Sequence, residues 1–286
     1  MSALNTFYHR LPVVREIERG IIRTEAICSE LAALRTLQCL ETCERLRHEK
    51  SLREGSLCLH RHEHQVCSQN GEDGVIVEIF RRIGEGARSF VEVGIGDGVE
   101  NNTAFLHSLG WTGAWIDARA PVLVDQPGLR FREAFVTREN IASLFRELAV
   151  PTEVDLCSID VDQNTFYLWE ALTDWLPRVI VIEYNASIPA PTEWRVNYDA
   201  QRVWDHTLNF GASLKTLELL GRRLGYSLVH CEIIGANAFF VRNDLVGDRF
   251  AGPFDSETHH EPPRYALCHR PGHIRSRLDR LPTQST

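Results

Sequence analysis

Two periods of apolar and polar positions run along this chain. Between residues 14 and 50, apolar side chains recur every third or fourth position through Ile17, Ile21, Leu31, Leu34, Leu37, Leu40 and Cys43, and no proline interrupts them. That spacing predicts an amphipathic helix or helix pair. Its stripe must bury against the main domain or a second copy of the chain, which makes a homodimer through these helices a candidate arrangement. From Ser68 onward, short apolar runs alternate with helical periods, the signature of a parallel sheet with crossover helices.

The runs give an order of elements. Helices are predicted over 72–83, 101–109, 138–148, 166–174 and 212–224, and strands over 89–93, 113–116, 131–136, 154–159 and 178–184. The fourth and fifth strands, "VDLCSI" and "RVIVIEY", are almost wholly apolar, as strands buried on both faces should be. "YSLVHCEII" and "ANAFFVR", divided by Gly235, read as two more strands joined by a tight turn, an antiparallel close to the sheet. The expected organisation is a helical extension over 1–62, an α/β domain over 63–245, and a tail over 246–286 packed on its surface. The domain is expected to be a mostly parallel, seven-stranded, Rossmann-like sheet with helices on both faces.

Composition narrows the partners. A chain of 286 residues, 43% hydrophobic, buries one sizeable core. A net charge of −8 offers no basic patch for nucleic acid or an anionic membrane, so a small molecule is the expected partner. No apolar run approaches the ~20 residues of a membrane span. Eight cysteines without a recognisable leader lead to the expectation of free thiols in a reducing cytoplasm. "CLHRHEHQVC" gathers Cys58, His60, His62, His64 and Cys67, but no second thiol pair follows at finger-like spacing. A polar connecting loop is expected there rather than zinc. The same expectation covers His259, His260, His269 and His273.

Chemistry is expected where the strands end, because ligands of open α/β sheets sit beyond the carboxyl ends. The first strand runs into "FVEVGIGDGVENNT", whose glycines are Gly94, Gly96 and Gly98; Val99 stands where a dinucleotide fingerprint needs glycine. Glu92, Asp97 and Glu100 in that stretch would repel a pyrophosphate and favour a cationic ligand. S-adenosylmethionine, with a sulfonium and an ammonium but no phosphate, meets that requirement. Asp117 ends the second strand, roughly twenty positions past Gly98, where a carboxylate accepts ribose hydroxyls. Phe135, Val136 and Thr137 end the third, suited by position to adenine.

Ser158, Asp160 and Asp162 follow the fourth strand, and Glu183, Tyr184 and Asn185 end the fifth. If the two strands are neighbours, Asp160, Glu183 and Asn185 converge as hard oxygen ligands suited to Mg2+ or another octahedral divalent ion. Such an ion would lower the pKa of a substrate hydroxyl and orient it. The alternative is Asp160 on the cofactor's amino group with no metal. The long connection between Asn185 and Ala212 carries Trp194, Tyr198, Trp204, Asp205, His206, Asn209 and Phe210, a composition suited to an acceptor-binding loop. Tyr184, Trp204, Asp205 and His206 are the acceptor-binding candidates, and His206 is a candidate general base or extra ligand.

Taken together, "SQNGEDGVIVEIF", "FVEVGIGDGVENNT", "GWTGAWIDA", "LCSIDVDQNTFYLWEAL", "PRVIVIEYNASI" and "FGASLKTLELLGRRLGYSLVHCEIIGANAFFVR" resemble the FkbM-type family of S-adenosylmethionine-dependent methyltransferases over roughly residues 66 to 243. The resemblance implies a class I methyltransferase fold and O-methylation of a sugar-bearing or polyketide-like acceptor in natural-product biosynthesis. It implies cofactor contacts from Glu92, Gly94, Asp97 and Asp117, with Gln69 and Glu72 near the methionine end; Gly96, Asn102, Val136, Ser158 and Asp160 complete the expected cofactor set. Where the family usually reads "IDIDGNDY", this chain reads "IDVDQNTF". Other readings are metal-independent O- or N-methyl transfer with His206 as base, a nicotinamide oxidoreductase, and a non-catalytic scaffold.

Overall fold

The computed structural model describes residues 12–121 and 126–267, together with 276, 278 and 279. A seven-stranded sheet forms its centre. Its strands are β1 (Ser89–Val93), β2 (Thr112–Asp117), β3 (Leu129–Glu133), β4 (Leu156–Ile159), β5 (Val179–Glu183), β6 (Tyr226–Cys231) and β7 (Asn237–Arg242), in the order β3-β2-β1-β4-β5-β7-β6. All neighbours from β3 to β5 are parallel, and β7 runs antiparallel to both β5 and β6. This mixed α/β architecture is compatible with a Rossmann-like fold.

The sheet is covered on both faces, as parallel strands require. The helices are α1 (Pro12–Glu54), α2 (Glu72–Ile83), α3 (Ala104–Ser108), α4 (Ile141–Glu147), α5 (Thr165–Ala171), α6 (Leu214–Leu224), α7 (Asn243–Val246) and α8 (Ser256–His259). Ile141 and Phe145 of α4, Phe166 and Trp169 of α5 and Leu217 of α6 meet Val91, Cys157 and Ile180 on one face. Ile76 and Phe80 of α2, Leu106 of α3 and Val246 of α7 meet Phe90, Leu156 and Val181 on the other. Helix α6 begins at Ser213, whose side chain accepts from the Thr216 amide, and ends at Gly225 in the left-handed region.

The described part of the segment beyond residue 245 packs on the domain, several of its side chains deeper than a tail lying on the surface would reach. Phe250, Ser256, His259 and Glu261 are buried, and the Tyr184 hydroxyl donates to the Glu261 carbonyl at 2.7 Å. Residues 58–67 likewise differ from the polar loop expected of them, because Cys58, Leu59, His60 and Cys67 are buried. Charged neighbours explain both corrections: Glu63 and Glu261 pair with Arg47 and with Lys50 and Arg264, so these polar segments enter the interior already neutralised. His269 and His273 lie outside the described residues.

Helix α1 is one continuous helix rather than a pair. No described residue of 12–38 is buried, and burial begins at Cys39 and Cys43. Its last third docks on Ile233, Ile234 and Leu267 through Cys43 and Leu46. Ile17, Ile21, Leu31, Leu34, Leu37 and Leu40 stay exposed on the single chain. The described cysteines are all free, and among the described residues no helix is long and apolar enough to cross a membrane.

Candidate functional site

At the carboxyl ends of β1, β2 and β4 the sheet order reverses, and a cavity of about 390 Å³ opens there, within the range of small-molecule sites. Its floor is the glycine turn. Gly94 has φ +83°, and a Cβ there would lie 1.6 Å from the Asp160 carbonyl oxygen, so only glycine lets β1 turn this close to β4. The Gly94 amide donates to Ile116 O and the Asp160 amide to Val93 O, tying together the three strand ends.

Two carboxylates then build the turn. Asp117 Oδ2 accepts from the Ile95 and Gly96 amides at 2.8 and 3.0 Å, and its Oδ1 accepts from Arg119 N. Glu92 is buried, 1% exposed, and its carboxylate accepts from the Asn102 and Thr103 amides, Asn101 Nδ2 and the Thr103 hydroxyl. Burial nonetheless holds the Glu92 pKa above its ordinary value, against those hydrogen bonds. The consequence is chemical. The Ile95, Gly96 and Val99 amides of the turn and the Asn102 and Thr103 amides at the entry to α3, which a diphosphate would require, are already satisfied by side-chain carboxylates.

Of the expected cofactor set, Gln69, Gly94, Gly96, Asn102, Asp117, Val136 and Asp160 line the cavity. Glu92 also borders it, with its oxygens engaged in holding the entry to α3. Asp97 lies on the exposed outer side, where it accepts from Val99 N. Ser158 is buried behind the wall, accepting from Asn102 Nδ2 and donating to Glu92. Glu72 is fully buried and reaches the cavity only through Asn237, whose Nδ2 donates to its Oε1 at 3.0 Å. Glu100, Asn101, Phe135, Arg202 and Val203 add to the lining.

Asp160 and Asp162, which line the cavity, and Glu183 present carboxylate oxygens all within 4.8 Å of one another. The pairing of Ile159 with Ile182 places the ends of β4 and β5 side by side. Asp162 swings into the group because it adopts φ +58°, a left-handed conformation uncommon for a residue with a side chain. Burial, then the charges of Asp162, Glu92 and Glu72, push the Asp160 carboxyl up to about 7. Burial, followed by Asp160 and Asp162, raises Glu183 well above its ordinary value. Burial raises Asp162 as well, opposed by the nearby His206. Glu183 Oε2 is buried and has no hydrogen-bond partner. Three crowded acids, one with an orphaned oxygen, fit a hard divalent cation.

Asn185 is not among these ligands. It is fully buried, its Nδ2 donates to Leu208 O and Phe210 O, and its Oδ1 accepts from Ser187 N. It clamps the two ends of the long loop, and the third carboxylate beside Asp160 and Glu183 is that of Asp162. Tyr184 is also displaced from the acceptor set, since its buried hydroxyl is engaged by Glu261. Asp205 is exposed and caps Thr207. Trp204 lines the cavity, and His206 stacks beside it with ring centroids 4.6 Å apart. No protein-family model matches the chain, and no curated protein matches its sequence.

Proposed function

We propose that this protein is an O-methyltransferase that binds S-adenosylmethionine in the cavity and a divalent cation, Mg2+ or a close analogue, on Asp160, Asp162 and Glu183. The resemblance to FkbM-type methyltransferases and their class I fold rests on the quoted motifs, and the sheet order is compatible with it. The observation that carries the reading is the occupation of the Ile95 and Gly96 amides by Asp117 and of the Asn102 and Thr103 amides by Glu92. A phosphate-bearing dinucleotide would meet anions where it needs donors, whereas a sulfonium cofactor meets favourable charge.

Each part of the chain has a task under this reading. Phe135 and Val136 provide an apolar wall for adenine, and Asp117 retains acceptor capacity on Oδ1 for a ribose hydroxyl. Glu100, Asp160 and their neighbours draw the cationic methionine end toward β4. S-adenosylmethionine, when bound, supplies the electrophilic methyl group. A divalent ion, when bound, supplies Lewis acidity toward an acceptor hydroxyl. Trp204 and the loop clamped by Asn185 enclose the acceptor, a hydroxylated, sugar-bearing or polyketide-like small molecule. His206 stands at the mouth beside Asp162, within the loop that would receive that acceptor.

A metal-free reading is favoured by one observation, the Asp160 carboxyl raised to about 7, which suits a general base at neutral pH. Calorimetry and chelation separate the readings. Binding of S-adenosylmethionine and its demethylated product, with none of NADH, is expected; stabilisation by NADH alone would remove the methyltransferase reading. Under the metal-assisted reading, EDTA or Asp160→Ala abolishes turnover. Turnover indifferent to EDTA leaves Asp160 or His206 as the base.

A further inference from the structure

We propose that His60, Glu63 and His230 form a second, buried metal site at the foot of α1, separate from the cavity, with Zn2+ as the ion that fits it best. His60 and Glu63 come from one turn, the short 3-10 helix Leu59–His62 and the residue after it. His230 comes from β6 through a bulge. Leu228 pairs with Phe240 and His230 with Phe239, so Val229 is an extra residue in the strand. Leu228 and Cys231 belong to the α6 side of the sheet and Val229 to the α2 side. The bulge thereby turns His230 to the α2 side, where it meets His60 with ring centroids 4.4 Å apart.

Two ring nitrogens of this cluster are unsatisfied. His60 and His230 are 2% and 1% exposed, and neither Nε2 has a hydrogen-bond partner. Glu63 Oε1 lies 3.3 Å from His230 Nε2 and 4.0 Å from His60 Nε2, and Glu261 Oε1 lies 3.5 Å from His60 Nε2. These separations are too long or misdirected for good hydrogen bonds. The two from Glu63 Oε1 start at the spacing of about 3.3 Å between ligand atoms of a tetrahedral ion with Zn–N bonds of about 2.0–2.1 Å, and a small inward shift would bring the longer one to it. Each of the three residues offers a ligand atom within 4.8 Å of those of the other two. Two imidazoles and one carboxylate are a donor set that zinc accepts, with a fourth position for water.

The surroundings suit the same ion. His60 Nδ1 faces Cys58 Sγ and Glu54 Oε1, each at 3.8 Å, the kind of outer partners that orient a liganding imidazole. Arg47 holds Glu63 by Oε2 at 3.1 Å, and Oε1, which accepts from the Ile233 amide at 3.0 Å, keeps a second lone pair on the side of the histidines. Glu261 carries Lys50 and Arg264, so it balances charge and is not counted as a ligand. An ion there would bind the turn before α2 to β6.

The test uses the full chain, stripped with chelator and reloaded with Zn2+ or Co2+ alone. One Zn2+ retained per chain through gel filtration is expected, kept in Asp160→Asn and lost in His60→Gln and His230→Gln. Chelation is expected to lower the melting temperature. Bound Co2+ is expected to show the intense visible absorption of a tetrahedral site. If the histidine variants fail to fold, the Co2+ spectrum of the natural chain decides: only the weak bands of octahedral coordination would overturn the proposal. So would a folded chain that retains no ion, with a protonated His60 bridging Glu63 and Glu261 in its place, or retention that survives both histidine substitutions.

Discussion

Three carboxyl groups as close as Asp160, Asp162 and Glu183 cannot all ionise cheaply unless a cation stands among them. Asp160, raised from 3.8 to about 7, therefore holds a proton in the folded state that the unfolded chain releases near pH 4. The folded form binds more protons between those values, so this group's stabilising contribution is present below about pH 4 and is lost as pH rises through 7. Asp160→Asn is expected to raise the melting temperature at pH 7.5 without metal and to flatten its decline from pH 4.5 to 7.5. Mg2+ or Mn2+ is expected to stabilise the natural chain and not this variant; thermal scans at each pH check both outcomes. Gly94→Ala is a second expectation at this scale. A Cβ 1.6 Å from Asp160 O, on a backbone at φ +83°, forces apart the ends of β1 and β4. The cost is expected to exceed the ~1–3 kcal/mol of a left-handed non-glycine residue alone, read as a large fall in the denaturation midpoint. Asp160 and Glu183 were legible as strand-end acids. Asp162's membership was not, because it depends on a positive φ that neither its residue type nor its spacing announces.

Elements were more legible than their ends. Strands β1, β4 and β5 could be read because continuous apolar runs of four to six residues have no other comfortable place in a chain of this kind. Helix α3 is shorter than the 101–109 expected, since Asn101, Asn102 and Thr103 are drawn out of the helix to bond Glu92. That exchange is tertiary and leaves no local pattern. The loop ending at Phe210 was legible in length but not in path, which is why Asn185 read as a ligand when its amide is spent clamping that loop. The turn between β1 and α3 yields a prediction of its own. Asp117→Ala would strip the Ile95 and Gly96 amides of their partner. Hydrogen bonds to charged groups contribute about 1.5–3 kcal/mol each, so S-adenosylmethionine affinity is expected to fall at least tenfold, with Asp117→Asn intermediate, by titration calorimetry.

Over the whole molecule, the unresolved demand is made by α1. At 1.5 Å per residue its 43 residues extend about 65 Å, and 12–38 contribute no described buried side chain. Isolated helices in water are marginal even with good helix formers. This one also leaves Ile17, Ile21, Leu31 and Leu34 more than half exposed, a longer apolar stripe than a monomer ordinarily shows. A second copy of the chain supplies a matching stripe at equal concentration, and self-association along α1 would cover both. Because burial starts only at Cys39 and no described residue of 12–38 lines the cavity, removing residues 12–38 is expected to separate assembly from binding. The shortened chain is expected to sediment as a monomer while the full chain sediments as a dimer, with S-adenosylmethionine affinity unchanged within about twofold. A full chain that sediments as a monomer at every concentration would leave the stripe without its proposed partner. Loss of cofactor binding on truncation would instead join α1 to the cavity through the segment from Glu63 to Gln69, whose Gln69 lines it.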